Sequence, residues 1–452
     1  MGSCGAPRAR RREDAIAPGA GVSIRRAADH GGLGAGSIRI RIVKILLAPD
    51  SFKESLTARA AALAMERGVK RAIPDAETVV LPIADGGEGT METLVFATGG
   101  QLHWTSVTGP LGSQVPARYG TLGDGITGVV EAAQASGLHL VPPEERNPLV
   151  TTTRGTGELI RHALDRGVTR LVVAIGGSAT NDAGAGALQA LGMRLVDQTG
   201  ASIGPGGSSL SRLAGIDAAT LDPRLRAADL RVACDVTNPL CGPNGASAIF
   251  GPQKGATPEM VAVLDANLRR FAEVLRRDVG VDVLEAPGSG AAGGLGAALL
   301  ACGGRLLPGI QLVLDAVDFD AKVQGATAVL TGEGRIDAQT ASGKVVAGLA
   351  ERASRAGVPV IAFAGSVEPG FEALYERGLL SAHAILSRPA SMAEAIAGAE
   401  ANLEAAVFAV VRLLAHKPPA PKPPPPEPPP PPPPAPAKVE PAKHSRRGRR
   451  SR

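Results

Sequence analysis

Five polar, glycine-rich segments each follow a short apolar run, and this repeated pairing constrains the fold more than any other feature of the sequence. The segments are APDSFKES (48–55), ADGGEGT (84–90), GGSATNDAGAG (176–186), CDVTNPLCG (234–242) and TGEGRID (331–337). A short, continuous apolar run is typical of a strand that is covered on both faces. Each polar segment is therefore predicted to lie at the carboxyl end of a buried strand.

Helical patterns alternate with these strands. Residues 42–48 are predicted to form the first strand, Thr57 to cap the following helix, and residues 77–85 to form the next strand. This order predicts a βαβ unit with a right-handed crossover. The alternation stops after about residue 95, where the segment 101–145 predicts a small antiparallel or mixed sheet, and it resumes near residue 288. The sequence thus predicts an α/β fold.

Three further helices are predicted from local signals. One begins at Thr156, a second covers GAAGGLGAALLA, and the last begins at a capping box of Ser391 and Glu394 and runs to about residue 415. Aromatic residues make up only 2% of the chain, whereas glycine occurs 58 times. The core is therefore expected to consist of closely packed Ala, Val, Leu and Ile, as in α/β proteins with many strand-to-helix turns.

The formal net charge of +5 arises at the two ends of the chain. Residues 1–40 carry a net charge of +4 and residues 417–452 a net charge of +7, so residues 41–416 have a negative balance. A basic surface for nucleic acid is therefore not expected on the core. No run of 18 uncharged apolar residues occurs, so a membrane span is not expected either.

The ends of the chain lack the pattern of a globular domain. Residues 1–40 are predicted to be a disordered or mis-assigned extension, with an organelle-targeting segment as the alternative. Residues 417–452 are predicted to be a polyproline II tail with a basic end. A passive tail is favoured over one that binds an SH3-like partner or nucleic acid. The four cysteines form neither a disulfide framework nor paired zinc-ligand spacing, which favours a reducing, cytoplasmic location.

The composition of the five polar segments points to phosphoryl transfer. In open α/β sheets, ligands bind outside the carboxyl ends of the strands, where loop N–H groups and helix N-termini favour anions. The segments nevertheless contain many carboxylates, which suit an anion site only if a divalent cation such as Mg²⁺ lies between them and the ligand. These carboxylates are Asp50, Asp85, Glu88, Asp182, Asp235, Glu333 and Asp337. Lys53 and the helix N-termini would hold phosphate, and one aspartate would accept a proton from a hydroxyl nucleophile.

Other interpretations of the same residues remain open. Asp and Thr at strand ends are commonly helix caps or Asx turns, and the glycines can serve close packing alone. The pattern G-x-G-x-x-G is matched by Gly288, Gly290 and Gly293. This match makes an NAD(P)-dependent oxidoreductase of a small hydroxy acid the alternative enzyme class. The preceding segment VLEAPGS, however, contains proline and is a poor strand. A P-loop motif and protein-kinase signatures do not occur in the sequence. A non-catalytic protein that acts through its tail is the third class.

Several motifs resemble those of the glycerate kinases of the bacterial type-1 family, the glycerate 2-kinase group. They are APDSFKESL, PIADGGEGT, TRGTGELI, GGSATNDAGAGALQALG, CDVTNPLCG, GAAGGLGAAL and TGEGRIDAQTASGK, in this order. The resemblance spans about residues 42–415, and Glu54 stands where the family usually has glycine. It implies transfer of the γ-phosphoryl group of ATP to D-glycerate with Mg²⁺, typically giving the 2-phosphate. A homodimer is an open alternative to a monomer.

The resemblance also implies two α/β domains. A discontinuous, Rossmann-like domain with a parallel sheet would comprise residues 41–95 and 288–416. The second α/β domain, residues 96–287, would be inserted into it, with the active site in the cleft between them. The interruption and return of the βαβ pattern along the chain agree with this division.

The roles of individual residues are hypotheses from their chemistry. Asp182 is the candidate base, with Lys53 and Asp50 as further catalytic candidates. Asp85 and Glu88 are expected to hold Mg²⁺, with Asp235, Glu333 and Asp337 as second choices for the metal. Donors for phosphate or the substrate carboxylate are expected from Ser51, Gly176, Gly177, Ser178, Thr180, Asn181, Gly293 and Gly294.

Overall fold

The computed structural model describes residues 43–342 and 345–415, so the predictions for residues 1–40 and 417–452 lie outside the described residues. The strands are β1 Lys44–Leu47, β2 Glu77–Val80, β3 Gln101–Thr108, β4 Gln114–Thr121, β5 Thr127–Glu131, β6 Arg170–Ala174, β7 Arg194–Val196, β8 Gly215–Asp217, β9 Asp229–Ala233, β10 Arg305–Leu307, β11 Ala328–Ile336, β12 Val360–Val367 and β13 Leu379–Ala384. The described part of the chain therefore has the predicted α/β alternation; β1 lies within its predicted range, and β2 begins at the predicted residue 77 but ends at Val80 instead of residue 85.

The helices connect and cover these strands. They are α1 Ala58–Ala72, α2 Thr90–Thr98, α3 Ala133–Ser136, α4 Arg154–Asp165, α5 Ala185–Ala190, α6 Pro223–Ala227, α7 Ala246–Phe250, α8 Pro258–Val279, α9 Ala291–Ala301, α10 Gly309–Ala316, α11 Phe319–Lys322, α12 Val345–Arg355, α13 Met392–Ala397 and α14 Ala399–Ala415. Short 3₁₀ turns occur at Leu138–Leu140, Pro143–Glu145, Gly207–Arg212, Pro252–Lys254, Thr340–Ser342 and Glu372–Arg377. None of the helices in the described ranges is long and apolar enough to cross a membrane.

Local signals fixed several helix starts correctly. The Thr57 side chain accepts a hydrogen bond from the Ala60 amide at the start of α1, as predicted. The Ser391 and Glu394 capping box is also present, but it begins the short helix α13, and Gly398 separates this helix from α14. Helix α4 begins at Arg154, two residues before the predicted Thr156. The predicted single C-terminal helix is therefore two helices.

Two sheets form the frame of the molecule. The first has the strand order β13-β12-β11-β1-β2, and all its pairings are parallel. The second has the order β10-β9-β6-β5-β4-β3, in which β10, β9, β6 and β5 are parallel and β4 and β3 are antiparallel. The antiparallel strands predicted within 101–145 thus form one edge of a larger mixed sheet. Strands β7 and β8 form a separate two-stranded antiparallel sheet.

The two-domain division stays a prediction, but sheet membership bears on its boundary. The sequence suggested a return to the first sheet near residue 288. Helix α9, however, packs in the core of the second sheet, and β10 pairs with β9 in that sheet. The chain re-enters the first sheet only at β11. This assignment favours a boundary after β10 rather than at residue 288.

One hydrophobic cluster contains residues of both sheets. From the first sheet it includes Leu46 of β1 and Ile83, which follows β2. From the second sheet it includes Val172 and Ala233, and Ile310 of α10 also belongs to it. Burial of apolar surface stabilises by about 25 cal/mol per Å², so a shared cluster of this kind holds the two sheets together. The carboxyl ends of β1, β2, β6 and β9 are therefore fixed close to one another.

Candidate active site

The loop after β1 carries a half-buried carboxylate. The Asp50 amide donates to the Gly332 carbonyl at 2.8 Å, which keeps this loop beside β11, and the Ser51 amide donates to Asp50 Oδ1 at 2.6 Å. Burial raises the pKa of Asp50 to about 6; the Ser51 amide opposes this shift, and the charge of Asp85 adds to it. Asp50 therefore titrates near neutral pH, where a carboxylate can exchange a proton with a bound hydroxyl.

The loop after β2 brings Asp85 against the second sheet. The Gly87 amide donates to Asp85 Oδ1 at 2.9 Å. Gly86 has a φ of +93°, and a Cβ atom there would lie 2.8 Å from Gly309 Cα and 3.0 Å from Ala233 Cβ. Glycine is therefore required at this position both by the backbone conformation and by the close approach of the second sheet.

Asp235 follows β9 and faces the same point from the other side. Its Oδ1 accepts a hydrogen bond from the Gly309 amide at 2.8 Å, at the first residue of α10. Burial raises the pKa of Asp235, the Gly309 amide opposes the shift, and the charge of Asp85 adds to it. Since Asp85 raises the pKa of both Asp50 and Asp235, the three carboxylates form one electrostatic group with Asp85 at its centre.

The predicted loop 176–182 forms the opposite wall. A Cβ atom added at Gly176 would lie 3.8 Å from Gly87 Cα, so the loops of β2 and β6 face each other at van der Waals distance. Gly177 has a φ of +73°, and its carbonyl accepts from the Leu138 amide at 2.8 Å. Backbone hydrogen bonds to the segment around α3 thus fix the position of this wall.

A lysine that the sequence analysis missed lies beneath this wall. Lys254, at the end of the Pro252–Lys254 turn, is only 2% exposed. Its Nζ donates to Ser178 Oγ at 2.9 Å and to the Thr180 carbonyl at 2.7 Å. Burial lowers the pKa of Lys254 to about 7, and the charge of Asp182 partly opposes the shift. A lone lysine in the segment FGPQKGA gave no signal strong enough to single it out.

Two neighbouring cavities open at these strand ends. The smaller, of about 400 Å³, lies between Asp85 and Asp235 on one side and Gly176, Ser178 and Lys254 on the other. The larger, of about 780 Å³, is lined by residues that include Asp50, Ser51, Glu88, Arg59 and Phe96. The structure therefore brings together Asp50, Ser51, Asp85, Glu88, Asp235, Gly176, Gly177 and Ser178 around adjoining cavities.

Asp182, the predicted base, lies in a different environment. It is fully buried, and Oδ2 accepts from the Thr153 amide, the Thr153 hydroxyl and the Gly186 amide, whereas Oδ1 accepts from the Gly184 amide. Burial raises the pKa of Asp182, and these hydrogen bonds oppose the shift. Its position disfavours contact with a substrate hydroxyl and indicates a carboxylate that organises the loop. Its role as a base stays an untested prediction.

The other inner residues of this loop are also buried. The Thr180 carbonyl accepts from Lys254, and Asn181 Nδ2 donates to Ser247 Oγ at 3.0 Å. Gly293 and Gly294 interrupt α9 with positive φ, and a Cβ atom at Gly293 would lie 2.0 Å from the Thr180 carbonyl oxygen. These four residues therefore support the wall from behind, so the structure gives no direct support to the prediction that they contact a ligand.

Three further predicted residues line neither of these two cavities. Lys53 is exposed and lines a separate cavity of about 220 Å³ with Gly334 and Gly365. Glu333 stands on β11, between Gly332 and Gly334, beside the Asp50 loop. Asp337 pairs with Arg335 at 2.8 Å and accepts from the Gln339 amide, which makes it part of a local turn. Of the three, only Lys53 and Glu333 stay close to the Asp50 loop.

The carboxylates around the cavities suit a divalent cation only together with ligands from outside the protein. Within residues 43–342 and 345–415, no group of three or more His, Cys, Asp or Glu side chains is arranged to hold a metal ion. Mg²⁺, however, commonly uses one or two carboxylates together with phosphate oxygens and water. Asp85 with either Asp50 or Asp235 meets that requirement, and each of these side chains offers the hard oxygen ligands that Mg²⁺ prefers.

Comparisons with known proteins identify the family that this chain resembles over most of its length. A sequence model of the glycerate kinase family matches residues 45–415. The chain is 56% identical to the glycerate kinase of Bacillus subtilis strain 168, over 75% of this chain and 88% of that protein. It is 51% identical to the glycerate 2-kinase of Escherichia coli strain K12, over 80% of this chain and 95% of that protein.

A solved structure shows the same fold. It is a crystal structure assigned to glycerate kinase 2 of Salmonella typhimurium LT2, with a TM-score of 0.77 and 51% sequence identity. The match covers 83% of this chain and 98% of that one. Because the family model spans most of the sequence and these relatives share about half of their residues with it, the chain belongs to the glycerate kinase family.

Proposed function

We propose that the chain is an ATP-dependent glycerate kinase, which transfers the γ-phosphoryl group of ATP to D-glycerate and gives 2-phosphoglycerate. Family membership supports the activity, and the E. coli relative is named a glycerate 2-kinase. The observation that carries the proposal is the cavity of about 400 Å³ between Asp85 and Asp235 of one wall and Ser178 and Lys254 of the other. A small hydroxy acid fits this volume and finds polar groups on both sides.

The alternative oxidoreductase reading is not supported. A dinucleotide fingerprint requires a strand before the first glycine of the motif. The residues before Gly288 form no strand, and Gly293 packs against the Thr180 carbonyl rather than facing a cavity as a phosphate donor. The relatives are kinases by name, in agreement with this geometry.

The larger cavity is proposed as the nucleotide site. Its volume of about 780 Å³ suits a nucleotide, and it adjoins Asp50 at the end of β1. It contains the N-terminus of α1, where the positive end of the helix dipole favours phosphate. Its wall includes the Phe96 ring, over which the Arg59 guanidinium lies at 4.4 Å from the centroid. This planar, partly apolar wall suits a purine base.

The carboxylates of this site would divide two tasks. Asp85 and Asp235 would hold Mg²⁺, which supplies positive charge to the phosphate oxygens when it is bound. Asp50, with a pKa of about 6, would accept the proton of the substrate hydroxyl. The amides and hydroxyls of the Gly176 loop would orient the acid. Assembly as a homodimer and location in the cytoplasm stay predictions.

The proposal is tested by following ADP release from the full chain with ATP, Mg²⁺ and D-glycerate. We expect release that depends on D-glycerate, and deletion of residues 417–452 should leave the rate unchanged. Proton-coupled ³¹P spectra of the product then decide the position of transfer. A phosphate on C2 couples to one proton and gives a doublet, whereas one on C3 gives a triplet. ADP release that is independent of D-glycerate would refute the kinase assignment, and a triplet would refute 2-phosphorylation.

A further inference from the structure

The Lys254 side chain is a buried amine on the wall of the smaller cavity, and a bound anion would favour its charged form. Its two hydrogen-bond acceptors, Ser178 Oγ and the Thr180 carbonyl, are both neutral. Among the residues that the structure describes, no carboxylate lies in ion-pair contact with its Nζ. Asp182 acts on it only at longer range, and four donors already occupy the Asp182 oxygens. The ammonium therefore lacks a contacting counter-charge.

A buried cation of this kind is costly. Transfer of an ammonium group from water to a protein interior costs several kcal/mol unless an anion and hydrogen bonds compensate it. A neutral side-chain donor could bridge Ser178 Oγ and the Thr180 carbonyl by the same hydrogen bonds. A purely structural role therefore does not explain why this position has a lysine. Its ammonium has three donors, and the protein occupies two of them. Within the residues that the structure describes, no third acceptor contacts this ammonium, so one donor and the charge can act on a ligand.

The opposite wall has the opposite charge. Asp85 and Asp235 line the same cavity as Ser178 and Lys254. A carboxylate would therefore be attracted to the lysine side, whereas the aspartate side, where Mg²⁺ and the nucleotide phosphate are proposed to bind, would face the substrate hydroxyls. A molecule with one carboxylate and neighbouring hydroxyls can place its carboxylate at Lys254 and its hydroxyls at the aspartates in only one orientation.

We infer that Lys254 and Ser178 bind the carboxylate of the substrate and so orient its hydroxyls toward Asp85 and Asp235. This assignment rests on the proposed function, because it takes D-glycerate as the substrate of the cavity. Charge-assisted hydrogen bonds from a buried ammonium are stronger than neutral ones. Lys254 is thus the residue that distinguishes a hydroxy acid from a neutral polyol.

The test compares D-glycerate with its methyl ester, which keeps both hydroxyls but replaces the charged carboxylate by a neutral group that is one methyl larger. We expect the wild-type chain to have a kcat/KM for D-glycerate at least 10-fold above that for the ester. Lys254→Met should lower kcat/KM for D-glycerate by about 10- to 100-fold and leave that for the ester within about 3-fold. The KM for ATP should not change. Lys254→Arg, which keeps the charge, should retain part of the preference for the acid.

Lys322→Met is the matched control. Lys322 is a partly buried lysine of α11 that donates to the Val317 carbonyl and does not line the cavity. Its loss should leave the preference for D-glycerate unchanged. An equal loss of activity toward acid and ester in Lys254→Met would indicate a merely structural role and overturn the inference.

The wild-type measurement keeps the inference testable if Lys254→Met does not fold. Equal kcat/KM values of the wild-type chain for D-glycerate and its ester would show that no cation recognises the carboxylate, and would overturn the inference by themselves. A wild-type chain without glycerate-dependent turnover would instead refute the proposed function. Turnover with an unchanged preference in Lys254→Met would refute only the role of Lys254.

Discussion

Replacement of Asp182 by asparagine distinguishes a structural carboxylate from a catalytic base. The Asp182 oxygens accept four hydrogen bonds within 2.9 to 3.3 Å, from donors of Thr153, Gly184 and Gly186. Asparagine has the same shape but offers only one acceptor atom. Its oxygen can replace Oδ2 and keep three of these bonds, which places its NH₂ group against the Gly184 amide.

The expected loss of stability in Asp182→Asn follows from that one lost hydrogen-bond acceptor. A buried donor that loses its partner costs about 1–3 kcal/mol. We therefore expect Asp182→Asn to lower the free energy of unfolding by about 1–3 kcal/mol, with kcat within about 10-fold of the wild type. Asp182→Ala leaves all four donors without the carboxylate and should be destabilised considerably more. Urea unfolding followed by far-UV circular dichroism measures both changes.

A matched control comes from a turn whose aspartate is only partly buried. Asp337 lies in a local turn with Arg335, so Asp337→Asn should change the free energy of unfolding by no more than about 0.5 kcal/mol. A proton-transfer role for Asp182 predicts the opposite pattern. Wild-type stability of Asp182→Asn together with a loss of kcat of about 100-fold or more would refute the structural interpretation.

Three further predictions follow from single residues. Glu54 has a φ of +66°, a left-handed conformation that β-branched residues strongly disfavour. We therefore expect urea unfolding to show that Glu54→Val is about 1–2 kcal/mol less stable than Glu54→Gly. Equal stability of the two variants would contradict this expectation. Burial raises the pKa of Glu131 from 4.5 to about 7, so the folded state holds the extra proton and loses up to about 3 kcal/mol of stability as the pH rises through 7. Glu131→Gln should lack this loss between pH 5 and pH 8 in thermal unfolding, and parallel pH profiles of the two proteins would count against the shift. A Cβ atom at Gly309 would lie 1.9 Å from the Asp85 carbonyl oxygen, whereas one at Gly176 would lie 3.8 Å from its nearest neighbour. In urea unfolding, Gly309→Ala should therefore lower the free energy of unfolding by about 1–3 kcal/mol and Gly176→Ala by much less. Equal stability of the two variants would show that the Asp85 loop shifts freely.

Local chemistry predicted much of the fold. Strand β1 and the cap at Thr57 depend on residues close together in sequence, and the structure confirms both. Glu54 is instructive, since the resemblance marked it as a departure from glycine and the structure gives it the left-handed backbone that glycine adopts freely. Sheet membership of β10 was not predictable, because a three-residue strand carries too little pattern to choose between two parallel sheets.

The sequence predicted which loops meet at the candidate site, but not how their side chains are arranged. The rule that ligands bind at the carboxyl ends of parallel strands identified the loops of Asp50, Asp85 and Asp235. The burial of Asp182 and the contact of Lys254 with Ser178 depend on packing between distant segments. Lys254 lies 76 residues from Ser178 in the sequence, and only the folded chain brings them together.

A crystal structure of the chain with D-glycerate, Mg²⁺ and a non-hydrolysable ATP analogue would test the two-walled site most directly. We expect D-glycerate in the smaller cavity, with its carboxylate within hydrogen-bonding distance of Lys254 and its hydroxyls toward Asp85. The terminal phosphate of the analogue should reach the same point from the larger cavity. Binding of D-glycerate elsewhere, without contact to either wall, would contradict the convergence of both sheets on one site.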